Sequence, residues 1–178
     1  MAHVQSVGVA AYLTEQMAYS PSQYSGYVYT PHTAPVGCMG DGSSPPDASS
    51  ICARNQYTPF QVQRDFFTHA LNNPDQLRQR VAFALSQIMV VSSVEIYEAY
   101  GLAAFQNLLL KDALGNYRTL LQDVTLSPTM GHYLDMANSG ATNAQNGTVP
   151  NQNYAREVLQ LFSIGLDELN PDGTQQLS

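Results

Sequence analysis

The sequence predicts an all-α protein. Apolar residues recur at three- and four-residue spacing in several stretches, and helix-start signals of one type recur between them. No stretch alternates apolar and polar residues as a half-buried strand does. We therefore expect residues 1–178 to form one domain, a single irregular bundle of about six to seven helices with its helical core in residues 58–169.

The individual helices follow from capping signals and apolar spacing. A polar residue before a proline, which fits the first helical position, marks three starts, Thr58-Pro59, Asn73-Pro74 and Ser127-Pro128. We expect Gly115 to end one helix as its C-cap and Asn116 to cap the next. The predicted helices cover residues 3–18, 60–71, 74–89, 95–114, 116–124, 127–136 and 151–166.

Residues 19–57 are predicted to form a long loop, because Pro, Gly, Ser and Tyr replace the helical pattern there. Three of its tyrosines are expected to lie extended on the surface: Tyr24, Tyr27 and Tyr29. Cys38 and Cys52, the only cysteines, also lie in this loop. Their even number predicts one disulfide that closes a loop of about fifteen residues, the alternative being two free thiols in a reducing compartment. No metal site and no cofactor are predicted.

Charge and composition exclude some classes of partner. The net charge is −7 and Lys111 is the only lysine, so no nucleic-acid surface is expected. No apolar run is long enough to cross a membrane. Charged residues are only 12% of the chain, which favours an extracytoplasmic protein, either periplasmic or secreted, although residues 1–5 do not form a signal peptide.

Several motifs, in this order and spacing, resemble a large bacterial family, domain-of-unknown-function family 1800. They are Leu77–Ser86, Gly115–Leu121, Met130–Asp135, Pro150–Leu166 and Asn170–Thr174. The resemblance spans about residues 74–174 and implies an exported protein of several hundred residues, often encoded beside a sulfatase-like partner. It also implies that this chain is a fragment, so we expect exposed apolar faces and a homo-oligomer formed through them.

The start of the last predicted helix carries the first candidate site. Asn153, Arg156 and Glu157 share one face, and Asn151 or Asn153 can cap the helix. Arg156, with Asn151 and Asn153, would bind a carboxylate, phosphate or sulfate, while Glu157 acts as general acid or base. The alternative is a structural Arg–Glu–Asn network that fixes the helix register.

A second cluster lies on the helix after Ser127, where His132 and Asp135 are three residues apart. If that helix packs beside the last one, Asp135 and Glu157 form a carboxylate pair with His132 close by, as in glycoside hydrolysis. A structural histidine is the alternative.

Two functions follow from these clusters. One is a hydrolase acting on an ester, glycoside or similar small-molecule or polymer substrate, with Glu157, Asp135 and His132 as catalytic residues. The other is a non-catalytic helical scaffold or partner-binding module that uses the tyrosine-rich loop. Among the other acidic residues, we expect Asp112 and Asp123 to pair with Arg118 or solvent, and residues 170–173 to form an ordinary turn.

Overall fold

The all-α class is confirmed by a computed structural model, which describes residues 2–27, 58–145 and 147–176. Within these ranges, β pairing is limited to the isolated bridges Asn143–Thr148 and Leu169–Gln175. Cys38 and Cys52 lie outside the described residues. The described helices are α1 (Ala2–Val7), α2 (Val9–Ala18), α3 (Phe60–Asn72), α4 (Gln76–Ser86), α5 (Ala99–Asp112), α6 (Tyr117–Leu126), α7 (Pro128–Tyr133) and α8 (Asn153–Gln160).

The single N-terminal helix predicted over residues 3–18 is wrong, because Gly8 divides it into α1 and α2. The φ of Gly8 is 81°, a left-handed conformation that glycine adopts without a steric penalty. The Gly8 N–H still donates to the Val4 carbonyl over 2.9 Å, so the last turn of α1 keeps its helical hydrogen bond. This division accounts for one helix more than the predicted six to seven.

The start of α4 is capped from a distant helix. Its N-cap residue, Asp75, makes no capping hydrogen bond with its side chain. Instead, the Leu77 N–H donates to Oε1 of Gln16 over 3.0 Å, and Nε2 of Gln16 donates to the Pro74 carbonyl over 3.1 Å. Gln16 is buried on α2, so it satisfies an N-terminal amide of α4 while fastening the two helices together.

At the ends of the later helices, one predicted capping residue is confirmed and another is wrong. Asn116 caps α6 as predicted, since its Oδ1 accepts the Arg118 N–H over 2.9 Å. The glycine C-cap prediction is wrong: α5 ends at Asp112, and Gly115 is absent from the residues with positive φ. The last helix is also shorter than predicted, and the chain turns after it at Gly165, whose φ is 84°.

The core is built around α5, which packs against α3, α4, α6 and α7. Phe105 and Leu109 on α5 are almost completely buried, and Thr129 on α7 donates its hydroxyl to the Gly101 carbonyl over 3.0 Å. Apolar residues of the other elements close around α5. They include Tyr24, Val62, Ala82, Met89, Leu120, Val124, Met130, Tyr154 and Phe162.

Residues 19–27 form a segment without helix or strand, here called the strap, which bonds to the start of α4 and to α5. The buried carboxylate of Asp75 accepts the Ser22 N–H over 2.8 Å, the Ser22 hydroxyl over 2.7 Å and the Gln79 amide over 3.2 Å. Arg78 adds a link from α4, because its Nη2 donates to the Tyr19 carbonyl over 3.4 Å. One anchor of the strap is therefore a fully buried acid.

The surface position predicted for the strap tyrosines is wrong for Tyr24, which is only 5% exposed. The side chain of Asn107 bonds to both the N–H and the carbonyl of Tyr24, each over 2.8 Å. Burial raises the pKa of the Tyr24 hydroxyl to about 12. Tyr27 is half-buried and donates to Asp65 over 2.6 Å, and burial together with this bond raises its pKa. Tyr29 lies outside the described residues.

Candidate functional site

The structure joins the polar residues predicted at the start of α8. Nη2 of Arg156 donates to Oδ1 of Asn153 over 2.6 Å and to Oε1 of Glu157 over 3.3 Å. Oδ1 of Asn151 accepts the Asn153 N–H over 2.8 Å, and the Asn151 N–H donates to the Ser139 hydroxyl over 2.9 Å. The Arg156 side chain is 57% exposed and that of Glu157 only 17%. The cluster is therefore assembled, with its cation facing solvent.

Two tyrosine hydroxyls hold α8 and the turn after it against α6. Tyr154 is buried on α8, and its hydroxyl donates to that of Thr125 over 2.7 Å. Tyr117, at the start of α6, donates its hydroxyl to the Phe162 carbonyl over 2.5 Å. The apolar face of α8 is thus fixed by Tyr154, while the Arg156 cluster stays outside.

His132 and Asp135 do not share a helix, contrary to the prediction. The helix α7 ends at Tyr133, and Asp135 follows it in a left-handed conformation with a φ of 57°. Both side chains are exposed. Among the described residues, no hydrogen bond or ion pair joins either of them to Glu157. A catalytic assembly of the three residues stays a prediction.

A second ionic cluster, formed by Lys111, Asp112 and Asp123, was missed by the sequence reasoning, which paired the two acids with Arg118 or with solvent. The Lys111 ammonium bonds to the Asp123 carboxylate, and it lies 3.7 Å from Oδ1 of Asp112. Burial raises the pKa of the Asp112 carboxyl, whereas the hydrogen bond from Lys111 lowers that of Asp123. The available signal was that the only lysine of the chain stands directly beside Asp112.

The turn predicted at residues 170–173 is confirmed. The Asn170 N–H donates to the Thr174 carbonyl over 2.8 Å, and Gly173 has a φ of 84°. Oδ1 of Asp172 accepts the N–H of Thr174 over 2.9 Å and its hydroxyl over 2.7 Å, and these bonds lower the pKa of Asp172. The carboxylate of Asp172 therefore already accepts two hydrogen bonds from Thr174.

The segment before this turn forms a shallow surface pocket of about 440 Å³, here called the C-terminal cleft. Three apolar side chains line it: Ile164 is 73% exposed, Leu166 78% and Leu169 56%. The acidic residues Asp167 and Glu168 stand among them. The C-terminal cleft is thus an uncovered apolar surface with an acidic border.

None of the described helices is long and apolar enough to cross a bilayer. In residues 2–27, 58–145 and 147–176, no three His, Cys, Asp or Glu side chains group as a metal site would require.

A protein-family model described as "Protein of unknown function (DUF1800)" matches residues 1–174. This match covers almost the whole chain, so it extends the resemblance beyond residues 74–174 into the N-terminal helices and the strap. No curated protein and no solved structure matches the chain. The helical fold and the family match together show that the chain belongs to the DUF1800 family of proteins of unknown function.

Proposed function

We propose that this chain is a non-catalytic helical module that binds a protein partner through the C-terminal cleft. The exposure of Ile164, Leu166 and Leu169 carries this proposal, since each side chain is more than half exposed. Covering one such side chain contributes about 1.5–3 kcal/mol. Three such side chains in one pocket therefore favour a contact there.

Charge indicates the chemistry of the partner. Asp167 and Glu168 border the C-terminal cleft, and residues 158–176 contain no lysine, arginine or histidine. A complementary surface therefore has an apolar centre and a basic rim. A second copy of this chain fits less well, because each copy has a net charge of −7 and brings the same acidic border.

A pair of synthetic helical peptides tests this chemistry. One peptide has leucines along one face and lysines beside them, and the other has glutamates in place of the lysines. We expect the lysine peptide to bind and the glutamate peptide to be excluded by like charge. Replacing Leu166 and Leu169 together by serine is expected to weaken binding by about tenfold or more. Fluorescence anisotropy measures both affinities.

Val94→Ser is the matched control, because Val94 is 86% exposed and lies outside the C-terminal cleft. It should leave the affinity for the lysine peptide unchanged. Equal binding of the two peptides would contradict the proposal, as would an equal loss in the control. Size exclusion with light scattering examines the predicted homo-oligomer. A stable dimer that the double serine variant abolishes would assign the C-terminal cleft to a second copy instead.

A hydrolase is the second candidate, favoured by the assembled cluster on α8. Arg156 is held by Asn153 and Glu157 but keeps most of its surface exposed, as a residue that binds an anionic group requires. Glu157 is the nearest acid and would transfer the proton. In this candidate Asn151 fixes the start of α8 for substrate binding, His132 acts from α7 and Asp135 acts from the loop that follows it.

Glu157→Gln tests this candidate. In a screen of ester, glycoside, phosphate and sulfate substrates, we expect kcat on any accepted substrate to fall by about 100-fold or more, because general acid–base catalysis is lost. The melting temperature should stay unchanged. Glu95→Gln, at an exposed acid outside the cluster, is the control and should retain full activity. A parallel loss of activity and melting temperature on replacing Glu157 would assign it a structural role.

A further inference from the structure

We infer that a cleft bounded by the strap, α5, α6 and the start of α7 binds a neutral, hydroxyl-rich ligand such as a short sugar chain. Its volume is about 630 Å³. This lies within the range of about 300–1,000 Å³ that is usual for small-molecule sites. The cleft is separate from the C-terminal cleft, and the inference does not depend on the proposed function.

One end of this cleft is formed by two members of the ionic cluster of Lys111, Asp112 and Asp123. Lys111 and Asp123 line the cleft, whereas Asp112 lies behind them, with its carboxyl 3.7 Å from the Lys111 ammonium. The Asp112 side chain is only 7% exposed. The charged groups that a ligand can reach at this end are therefore the Lys111 ammonium and the Asp123 carboxylate.

The mixture of charges selects the class of ligand. A hydroxyl group donates one hydrogen bond and accepts others, so adjacent hydroxyls can bond to a carboxylate and an ammonium together. A cationic ligand would meet the Lys111 ammonium, and an anionic ligand would meet the Asp123 carboxylate. The exposed amide of Gln23 adds a group that can donate and accept at the strap side of the cleft.

The remaining wall suits the carbon face of a sugar ring. Leu108, Leu126, Pro21 and Pro128 line the cleft, and Leu126 is 71% exposed. Sugar rings present C–H groups on their faces and hydroxyls at their edges. A ring against these residues covers apolar surface while its hydroxyls face the ionic cluster.

Titration calorimetry with defined probes tests the inference. The probes are cellotriose, maltotriose and chitotriose as neutral ligands, spermidine as a cation and citrate as an anion. We expect at least one trisaccharide to bind more tightly than either charged probe. Its binding should shift the backbone amide NMR signals of Leu108, Lys111 and Asp123. Asp123→Asn, which keeps the shape of the side chain, should weaken binding about tenfold through the loss of a charge-assisted bond.

Glu95→Gln is the control for charge alone, since Glu95 is exposed and does not line the cleft. It should bind the trisaccharide like the unaltered chain. The Lys111–Asp123 pair is at the surface, so the Asp123 variant should fold normally, and a circular dichroism melt verifies this. Three results would overturn the inference. These are no binding of any trisaccharide, tighter binding of spermidine or citrate, and equal affinities of the Asp123 and Glu95 variants.

Discussion

Replacing Asp75 by alanine is expected to lower the free energy of unfolding by about 3 kcal/mol or more. The carboxylate is fully buried and accepts two hydrogen bonds from Ser22 and one from Gln79. Removing it leaves the Ser22 N–H and hydroxyl without an acceptor, and Gln79 keeps only its long bond of 3.5 Å to the Ser22 carbonyl. A buried unpaired donor costs about 1–3 kcal/mol. Urea denaturation followed by circular dichroism measures the change.

Two further variants separate the buried acceptor from a general charge effect. Asp167→Ala removes an exposed acid and should change stability by no more than about 0.5 kcal/mol. Asp75→Asn keeps the shape and one acceptor oxygen, so it should lose less stability than Asp75→Ala. If Asp75→Ala were as mild as Asp167→Ala, the strap would not depend on this carboxylate.

Replacing Phe105 by alanine is expected to cost about 3–5 kcal/mol, the usual loss for a large buried aromatic residue. Phe105 is 1% exposed on α5, the helix that contacts four others. Removing its ring takes away buried apolar area and leaves a cavity that helices on several sides must close. The thermal midpoint and the urea midpoint should both fall, with the helical signal retained below the transition.

Leu126→Ala provides the comparison for Phe105, because Leu126 is 71% exposed at the end of α6. Its loss should be within about 0.5 kcal/mol. Similar losses for the two variants would show that α5 is not the centre of the core.

The fold class can be predicted from the sequence because helices depend on local signals, namely capping residues and apolar spacing. Asn116 caps α6 as its position predicts, and apolar spacing places both ends of α4 to within three residues. The position of the strap has no such local signal, since Asn107 bonds to Tyr24 across 83 residues. Nothing in the residues around Tyr24 indicates that an amide on α5 will satisfy its backbone. The same limit hides Gln16 as the cap of α4.

Of the candidate sites, one could be grouped from spacing along a single helix and one could not. Asn153, Arg156 and Glu157 could be grouped from the sequence, since residues three and four apart share a helix face. Lys111 and Asp123 stand on different helices, and their contact depends on how α5 packs against α6. Helical periodicity describes one helix at a time and therefore cannot predict that pair. Apolar spacing also cannot predict the left-handed conformation of Asp135, which places this residue outside α7.

The strap also has a consequence for the order of folding. Its anchors join residues 53 and 83 positions apart, whereas the bonds within the helices join near neighbours. Closing such long loops costs entropy that is recovered only once both ends are in place. We therefore expect the helices to pair first and the strap to dock late. In kinetic experiments, weakening its anchors should accelerate unfolding while leaving the refolding rate almost unaltered.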